Sequence, residues 1–129
     1  MKFIELETEQ KLRGGYYTPQ YLADFINEWV SEIKPKNILE PSCGDGVFFK
    51  SIKDKMNIQD SKILGIEIID EEAKKTEKLL NINGFTNAQI LNKDFLKWTI
   101  KHLNNGVVFD AVVGNPPFIR YQYLTDVSN

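Results

Sequence analysis

The pattern of apolar and polar positions predicts a helix shortly after residue 17. Thr18-Pro19 is typical of a helix start, with a hydroxyl N-cap and a proline at the first helical position. Apolar residues then recur at helical spacing until Pro35, so we predict an amphipathic helix that docks on a core. Its apolar positions are Leu22, Phe25, Ile26, Trp29, Val30 and Ile33.

Four short apolar runs follow, and helical stretches separate them. This alternation is typical of βα units on a parallel sheet. The helix after the second run is predicted to be capped by Asp70 and to stop at Asn83-Gly84. The fourth run is nearly all apolar, as expected of a central buried strand. The predicted strands are Asn37–Glu40, Lys62–Glu67, Ala88–Leu91 and Val107–Val113.

The order helix-β-α-β-α-β-α-β predicts an α/β fold with an open, half-wound parallel sheet. Residues 116–129 are too few to continue it. A sheet that stops on its most apolar strand leaves that strand's edge unpaired unless the strand order hides it. We therefore expect a sheet truncated after the fourth strand, and self-association or pairing with another chain through this edge.

Composition and charge restrict the function classes. The 129 residues are 42% apolar and carry a net charge of -2, which excludes a strongly basic domain that binds nucleic acid by phosphate neutralisation alone. A single cysteine and a single histidine exclude an internal disulfide and the usual four-ligand zinc site. No apolar run is long enough to cross a bilayer, so we expect a cytoplasmic protein without a membrane partner.

Candidate chemistry lies at the strand ends, because open parallel sheets bind ligands beyond the carboxyl ends of their strands. The glycine turn Gly44-Asp45-Gly46 follows the first strand, but Phe49 stands where a dinucleotide-binding loop has its third glycine. A pyrophosphate would also meet the carboxylates of Glu40 and Asp45. The pattern favours a positively charged ligand without phosphates, and S-adenosylmethionine has this chemistry.

Two further acids match the parts of that ligand. Glu67 lies 21 residues after Gly46, the offset at which nucleotide-binding sheets place an acid on the ribose hydroxyls. Asp94, at the third strand end, would accept from the adenine amino group, and Ile68 and Phe95 would pack against the base. The alternative is that Glu40, Glu67 and Asp94 are ordinary solvated loop acids.

The segment Asn115-Pro116-Pro117-Phe118 follows the fourth predicted strand. The Asn115 side-chain oxygen and the Pro116 carbonyl are two acceptors that would activate an exocyclic amine and stabilise positive charge developing on its nitrogen. Phe118 would stack on a base flipped out of a duplex. The alternative is a tight surface turn after a strand.

The motifs Thr18-Pro19, EPSCGDGVF, GIEI, KDF and GNPPF, in this order, resemble the gamma-class N6-adenine DNA methyltransferases of restriction-modification systems. The resemblance extends from Gly14 to Phe118 and implies an S-adenosylmethionine-dependent, Rossmann-like fold. It assigns the methionine end of the cofactor to Thr18, Glu40 and Ser42. The implied catalytic residues are Asn115, Pro116, Pro117 and Phe118, and the implied cofactor-binding residues are Thr18, Glu40, Pro41, Ser42, Gly44, Glu67, Ile68, Asp94, Phe95 and Pro117. The family more often has tyrosine where this chain has Phe118.

We accordingly expect a lead-in over residues 1–15 and a partial catalytic domain over residues 16–129, without a target-recognition domain. Such a chain would contact DNA through a full-length enzyme and be inactive alone. Two alternatives stay open. One is a protein-glutamine or RNA-guanine methyltransferase, and the other is a non-catalytic cofactor-binding fragment that pairs with another chain.

Overall fold

The alternation of helices and strands expected from the sequence is confirmed in the computed structural model, which describes residues 18–44, 46–57, 59–102 and 104–115. Within these ranges, no helix is both long and apolar enough to cross a membrane. The elements are α1 (Gln20–Ser31), β1 (Asn37–Glu40), α2 (Val47–Lys55), β2 (Lys62–Ile66), α3 (Asp70–Ile82), β3 (Ala88–Leu91), α4 (Phe95–His102) and β4 (Ala111–Val112).

The four strands are parallel and lie in the order β3-β2-β1-β4. The chain therefore steps outward from β1 to β3 and then returns to the other side of β1. Because such crossovers are right-handed as a rule, we expect α2 and α3 on one face of the sheet and α4 on the opposite face. The point of reversal lies between β1 and β4, where such sheets form their binding crevice.

The core lies between the sheet and the helices α1, α2 and α3. Ile38 of β1 and Ile63 of β2 are paired in register and point into it. Phe49 and Ile52 of α2 are fully buried there, and the Phe49 ring meets Phe85 edge to face, with centroids 6.2 Å apart. Phe49, which stands where a dinucleotide-binding loop has its third glycine, is thus a central core residue.

A glycine in the sheet makes room for this large ring. A Cβ on Gly65 of β2 would lie 2.7 Å from Phe49 Cζ and 2.7 Å from Ile90 Cδ1. In a dinucleotide-binding loop, the third glycine allows the helix to approach the strand closely. In this chain, Gly65 of β2 allows that close approach instead.

The prediction of a long, central fourth strand was wrong. Only Ala111 and Val112 pair with β1, and β4 is an edge strand among the described residues. Val108 is 72% exposed and Val112 is 61% exposed. Pairing through this edge stays a prediction. The second strand also ends one residue earlier than predicted, at Ile66.

Two predicted helix caps were also wrong. Pro19 occupies the N-cap of α1 without a side-chain hydrogen bond, and Thr18 lies outside the helix. Ile69 occupies the N-cap of α3, and Asp70 is instead its first residue, paired with Lys74 at 2.9 Å. The predicted stop of α3 at Asn83-Gly84 is confirmed.

The helix α1 packs on α2 through a face that only partly overlaps the predicted one, since Ile26 and Val30 are shared by both. Its buried residues are Ala23, Asn27 and Val30. Most of the predicted apolar stripe faces outward instead, and Phe25 and Trp29 are each 71% exposed. The Asn27 side chain donates from Nδ2 to the Phe48 carbonyl oxygen at 3.1 Å, which joins α1 to the first turn of α2.

Candidate active site

The sheet order brings the predicted site residues to one edge. Because all four strands are parallel, their carboxyl ends lie together, and the residues at or after these ends are ordered as Asp94, Glu67, Glu40 and Asn115. Glu40 and Asn115 flank the reversal point between β1 and β4. The site that the sequence predicted as four separate strand ends is thus a contiguous row.

The glycine turn after β1 is tied to its neighbours by backbone and side-chain hydrogen bonds. The Cys43 N–H donates to the Ile66 carbonyl at 3.0 Å, and Thr76 Oγ1 donates to the Gly44 carbonyl at 2.9 Å. Gly44 and Gly46 have φ values of 51° and 82°, a region that favours glycine. Both glycines are therefore required by the backbone of this turn.

Glu67 supports the same turn from β2. Its side chain is buried, with 7% exposure. Oε2 accepts from the Gly44 N–H at 2.9 Å, and Oε1 accepts from the Ile69 N–H at 3.2 Å. A carboxylate offers about four lone-pair sites, so both oxygens retain acceptor capacity. The interpretation of Glu67 as a solvated loop acid is wrong.

Glu40 is also buried, with 1% exposure. Its Oε1 accepts from the Ser42 N–H at 2.9 Å. The carboxylate lies against the backbone after β4, because a Cβ on Gly114 would be only 2.5 Å from Oε1. Beside it, the Ser42 hydroxyl is buried without a hydrogen-bond partner among the described residues. A buried carboxylate and a buried hydroxyl thus lie together at the reversal point.

Asp94 is held differently from the two buried acids. Its Oδ1 accepts from the Leu96 and Lys97 N–H groups, at 2.9 and 3.2 Å, and so caps α4. Oδ2 takes no part in this cap. Phe95 begins α4 and stacks on Trp98, with ring centroids 6.5 Å apart. Asp94 therefore caps the N-terminus of α4 through Oδ1, and its Oδ2 atom is not needed for the cap.

Two polar residues that hold the loops in place were not recognised from the sequence. Thr76 holds the glycine turn from α3 through its bond to the Gly44 carbonyl. Asn92 donates from Nδ2 to the carbonyls of Glu67 and Ile68, at 2.9 and 3.1 Å, and so joins the loops after β3 and β2. The Ile68 side chain is exposed beside this link. An asparagine directly after a strand, at the binding edge, was the signal available for Asn92.

The last described residue connects β4 to the segment before α1. Asn115 Nδ2 donates to Thr18 Oγ1 at 3.2 Å, and Thr18 is buried with 9% exposure. Thr18 and Asn115, which are 97 positions apart in sequence, thus meet at the reversal point. Pro116, Pro117 and Phe118 lie outside the described residues.

Cys43 and His102 are the other side chains that could act as a nucleophile or a base, and both are packed against neighbouring groups. Burial, together with the charges of Glu40 and Glu67, raises the pKa of the Cys43 thiol, so the thiol stays protonated at neutral pH and is a poor nucleophile. His102 stacks on Trp98 at a centroid distance of 4.6 Å. Among the described residues, no group of three or more His, Cys, Asp or Glu side chains is arranged to hold a metal ion.

Comparison with known proteins gives both sequence relatives and structural neighbours. The chain is 32% identical to the type II methyltransferase M.CvrRI of Paramecium bursaria Chlorella virus XZ-6E, over 88% of this chain and 27% of that protein. It is 30% identical to the type II methyltransferase M.BanIII of Aneurinibacillus aneurinilyticus, over 93% of this chain and 24% of that protein. The chain therefore spans about a quarter of the length of these curated relatives.

Solved structures show the same fold. A modification subunit of a putative type I restriction enzyme from Vibrio vulnificus YJ016 matches with a TM-score of 0.65 and 21% identity, over 90% of this chain and 27% of that one. The N-terminal domain of EvdMO1, solved with SAH bound, matches with a TM-score of 0.57 and 22% identity, over 70% of this chain and 36% of that one. Finally, the N-6 DNA Methylase family model matches residues 3–128, so the chain belongs to the N-6 DNA Methylase family.

Proposed function

We propose that this chain binds S-adenosylmethionine and, within a longer enzyme, takes part in methyl transfer to the exocyclic N6 of an adenine flipped out of DNA. The observation that carries the proposal is the pair of buried carboxylates, Glu40 and Glu67, that enclose a glycine turn beside Asn115. Residues 16–129 would form part of the catalytic domain, preceded by a lead-in over residues 1–15.

The chemistry of the site matches the proposed cofactor. S-adenosylmethionine carries an ammonium group, a ribose and an adenine, has no phosphate, and supplies an electrophilic methyl group on its sulfonium. Glu40 and the buried Ser42 hydroxyl, which has no hydrogen-bond partner in the described part of the chain, lie together where the methionine end would bind. Glu67 retains lone pairs for the ribose hydroxyls, and Asp94 Oδ2 is left for the adenine amino group.

Membership of the family supports the proposed cofactor, and so does the neighbour solved with SAH. The description of that family, N-6 DNA Methylase, supports DNA as the substrate. The net charge of -2 means that this chain alone provides little phosphate neutralisation. Most contacts with DNA would therefore come from the rest of a longer protein.

The role of Asn115 follows from the chemistry of an exocyclic amine. Such an amine delocalises its lone pair into the ring and is a weak nucleophile. An acceptor placed on each N–H would draw the nitrogen toward tetrahedral geometry and stabilise its developing positive charge. We assign one acceptor to Asn115 Oδ1 and the other to the Pro116 carbonyl, with Phe118 stacking on the flipped base.

The proposal is tested in two stages. Calorimetry on the chain should give tighter binding of S-adenosylmethionine and S-adenosylhomocysteine than of NAD or ATP. The longer enzyme should then incorporate methyl groups into DNA as N6-methyladenine. Tighter binding of NAD or ATP would refute the cofactor. A product of N4-methylcytosine would retain the mechanism and change the base, and labelling of protein glutamine or RNA guanine would refute DNA as the substrate.

Replacing Gly114 with alanine should disturb Glu40 directly. The new Cβ would meet the buried carboxylate at 2.5 Å, and we expect the resulting shift to cost about 1–3 kcal/mol of stability, as other overpacked sites do. Because Glu40 is assigned to the methionine end, affinity for S-adenosylhomocysteine should also fall. Denaturant unfolding and calorimetry measure the two effects.

Gly106→Ala is the matched control. Gly106 has a φ of 69°, and its added Cβ would meet no atom of the described residues within 4 Å. This variant should lose stability through backbone strain alone, by roughly 1–2 kcal/mol, and keep its affinity for S-adenosylhomocysteine. Equal affinities in the two variants would contradict the role given to Glu40.

A further inference from the structure

The contact between Asn115 and Thr18 bears on which end of the Asn115 amide faces the substrate. Asn115 Nδ2 donates to the buried Thr18 hydroxyl at 3.2 Å. We propose that Thr18 is a positioning residue that sets the orientation of the Asn115 amide, so that Oδ1 faces the target amine. This inference rests on the proposed function, in which Asn115 Oδ1 is an acceptor.

The orientation matters because the two ends of an amide have opposite hydrogen-bonding character. Oδ1 only accepts and Nδ2 only donates, although the two ends have nearly the same shape. If the amide were turned by 180°, an amino group of the substrate would face another donor. A hydrogen-bond acceptor that binds Nδ2 on the side away from the substrate disfavours this non-productive orientation.

Thr18 is suited to this task because a hydroxyl has one hydrogen and two lone pairs. When Oγ1 accepts from Asn115, its own hydrogen remains available for a second acceptor. The carboxylate at the methionine end of the proposed cofactor would be such an acceptor. A hydroxyl that donates to this carboxylate presents a lone pair to Asn115, so the two roles of Thr18 reinforce each other.

The position of Thr18 is fixed by the helix that follows it. The Pro19 carbonyl accepts from the Leu22 and Ala23 N–H groups at 3.1 and 3.2 Å, which anchors the start of α1. Further along α1, Asn27 is bonded to the Phe48 carbonyl of α2, the helix that begins at the glycine turn. These contacts fix the position of Thr18 relative to the glycine turn as well as relative to Asn115.

The contact is tested on this chain by NMR of the Asn115 side-chain amide, assigned by its loss in Asn115→Ala. Thr18→Val has nearly the same shape as the original residue but lacks the hydroxyl, and it should shift this resonance. Thr18→Ser retains the hydroxyl and should leave the resonance close to its original position. An unchanged resonance in Thr18→Val, or the same shift in both variants, would overturn the proposal, and thermal melts check that each variant is folded.

The consequence for catalysis is tested in the longer enzyme at saturating S-adenosylmethionine. We expect Thr18→Val to slow single-turnover methyl transfer about fivefold to tenfold, and Thr18→Ser to restore most of the rate. A Thr18→Val variant that binds S-adenosylhomocysteine more weakly but transfers methyl at the original rate would overturn the positioning role. Wild-type enzyme that transfers no methyl group would refute the proposed function, while the NMR result would still decide the contact.

Discussion

Asn115→Ala is expected to slow methyl transfer in the longer enzyme about 10²- to 10³-fold while leaving cofactor affinity within a few fold of its original value. The side chain would act on the target amine, and the loss of one preorganised hydrogen-bonding group at a reacting centre costs about 10²–10³ in rate. Single-turnover methyl incorporation with enzyme in excess measures the chemical step. Calorimetry with S-adenosylhomocysteine measures cofactor binding separately.

The position of Asn115 in the fold explains why the two quantities should separate. Asn115 follows β4, whereas the residues assigned to the cofactor lie mainly after β1, β2 and β3. Its contact with Thr18 is an exception, so we expect a small effect on affinity through that residue. Asn104→Ala is a suitable control, since Asn104 is an exposed residue of the turn after α4. A rate loss below tenfold in Asn115→Ala would contradict its role as an acceptor for the amine.

The bounds predicted for β1 and β3 are those of the structure, and for β1 the local chemistry explains why. The glycine turn ends β1 and begins α2, and Pro35 precedes β1. The fourth strand was overestimated because an apolar run does not reveal its partner. Asp110 accepts from the Lys36 and Asn37 N–H groups at the very start of β1, so residues 107–109 have no β1 residue opposite them.

The burial of α1 shows a second limit of hydrophobic periodicity. The spacing identifies a helix, but it does not identify the face that packs when small and polar residues form the contact. Ala23 allows close approach and Asn27 bonds to the α2 backbone, and together they decide the orientation of α1. Large apolar residues such as Phe25 and Trp29 therefore stay exposed.

The site was predictable to the extent that parallel strands share a carboxyl edge. Glu40, Glu67 and Asp94 could be assigned to this edge from the strand pattern alone. The strand order could not be read from the sequence, so the contacts of Asn115 with Thr18 and of Gly114 with Glu40 were not predictable. These contacts join parts of the chain that no local pattern connects.

Glu67→Ala is expected to lower both the affinity for S-adenosylhomocysteine and the stability of the chain. The variant removes two proposed bonds to the ribose, and charge-assisted bonds contribute about 1.5–3 kcal/mol each, so affinity should fall roughly 10²- to 10⁴-fold. It also leaves the Gly44 and Ile69 N–H groups without their carboxylate acceptor. Calorimetry well below the unfolding temperature measures affinity, and denaturant unfolding measures stability.

Glu67→Gln separates the charge from the shape of the side chain. Glutamine has one acceptor oxygen, and its NH₂ group would face either the Gly44 or the Ile69 N–H donor, so this variant should also bind weakly. Glu77→Gln removes the same charge from an exposed position of α3 and should change neither quantity. If Glu67→Ala lost stability but bound S-adenosylhomocysteine within tenfold of the original chain, Glu67 would only support the glycine turn, and the ribose would have to be held by another residue.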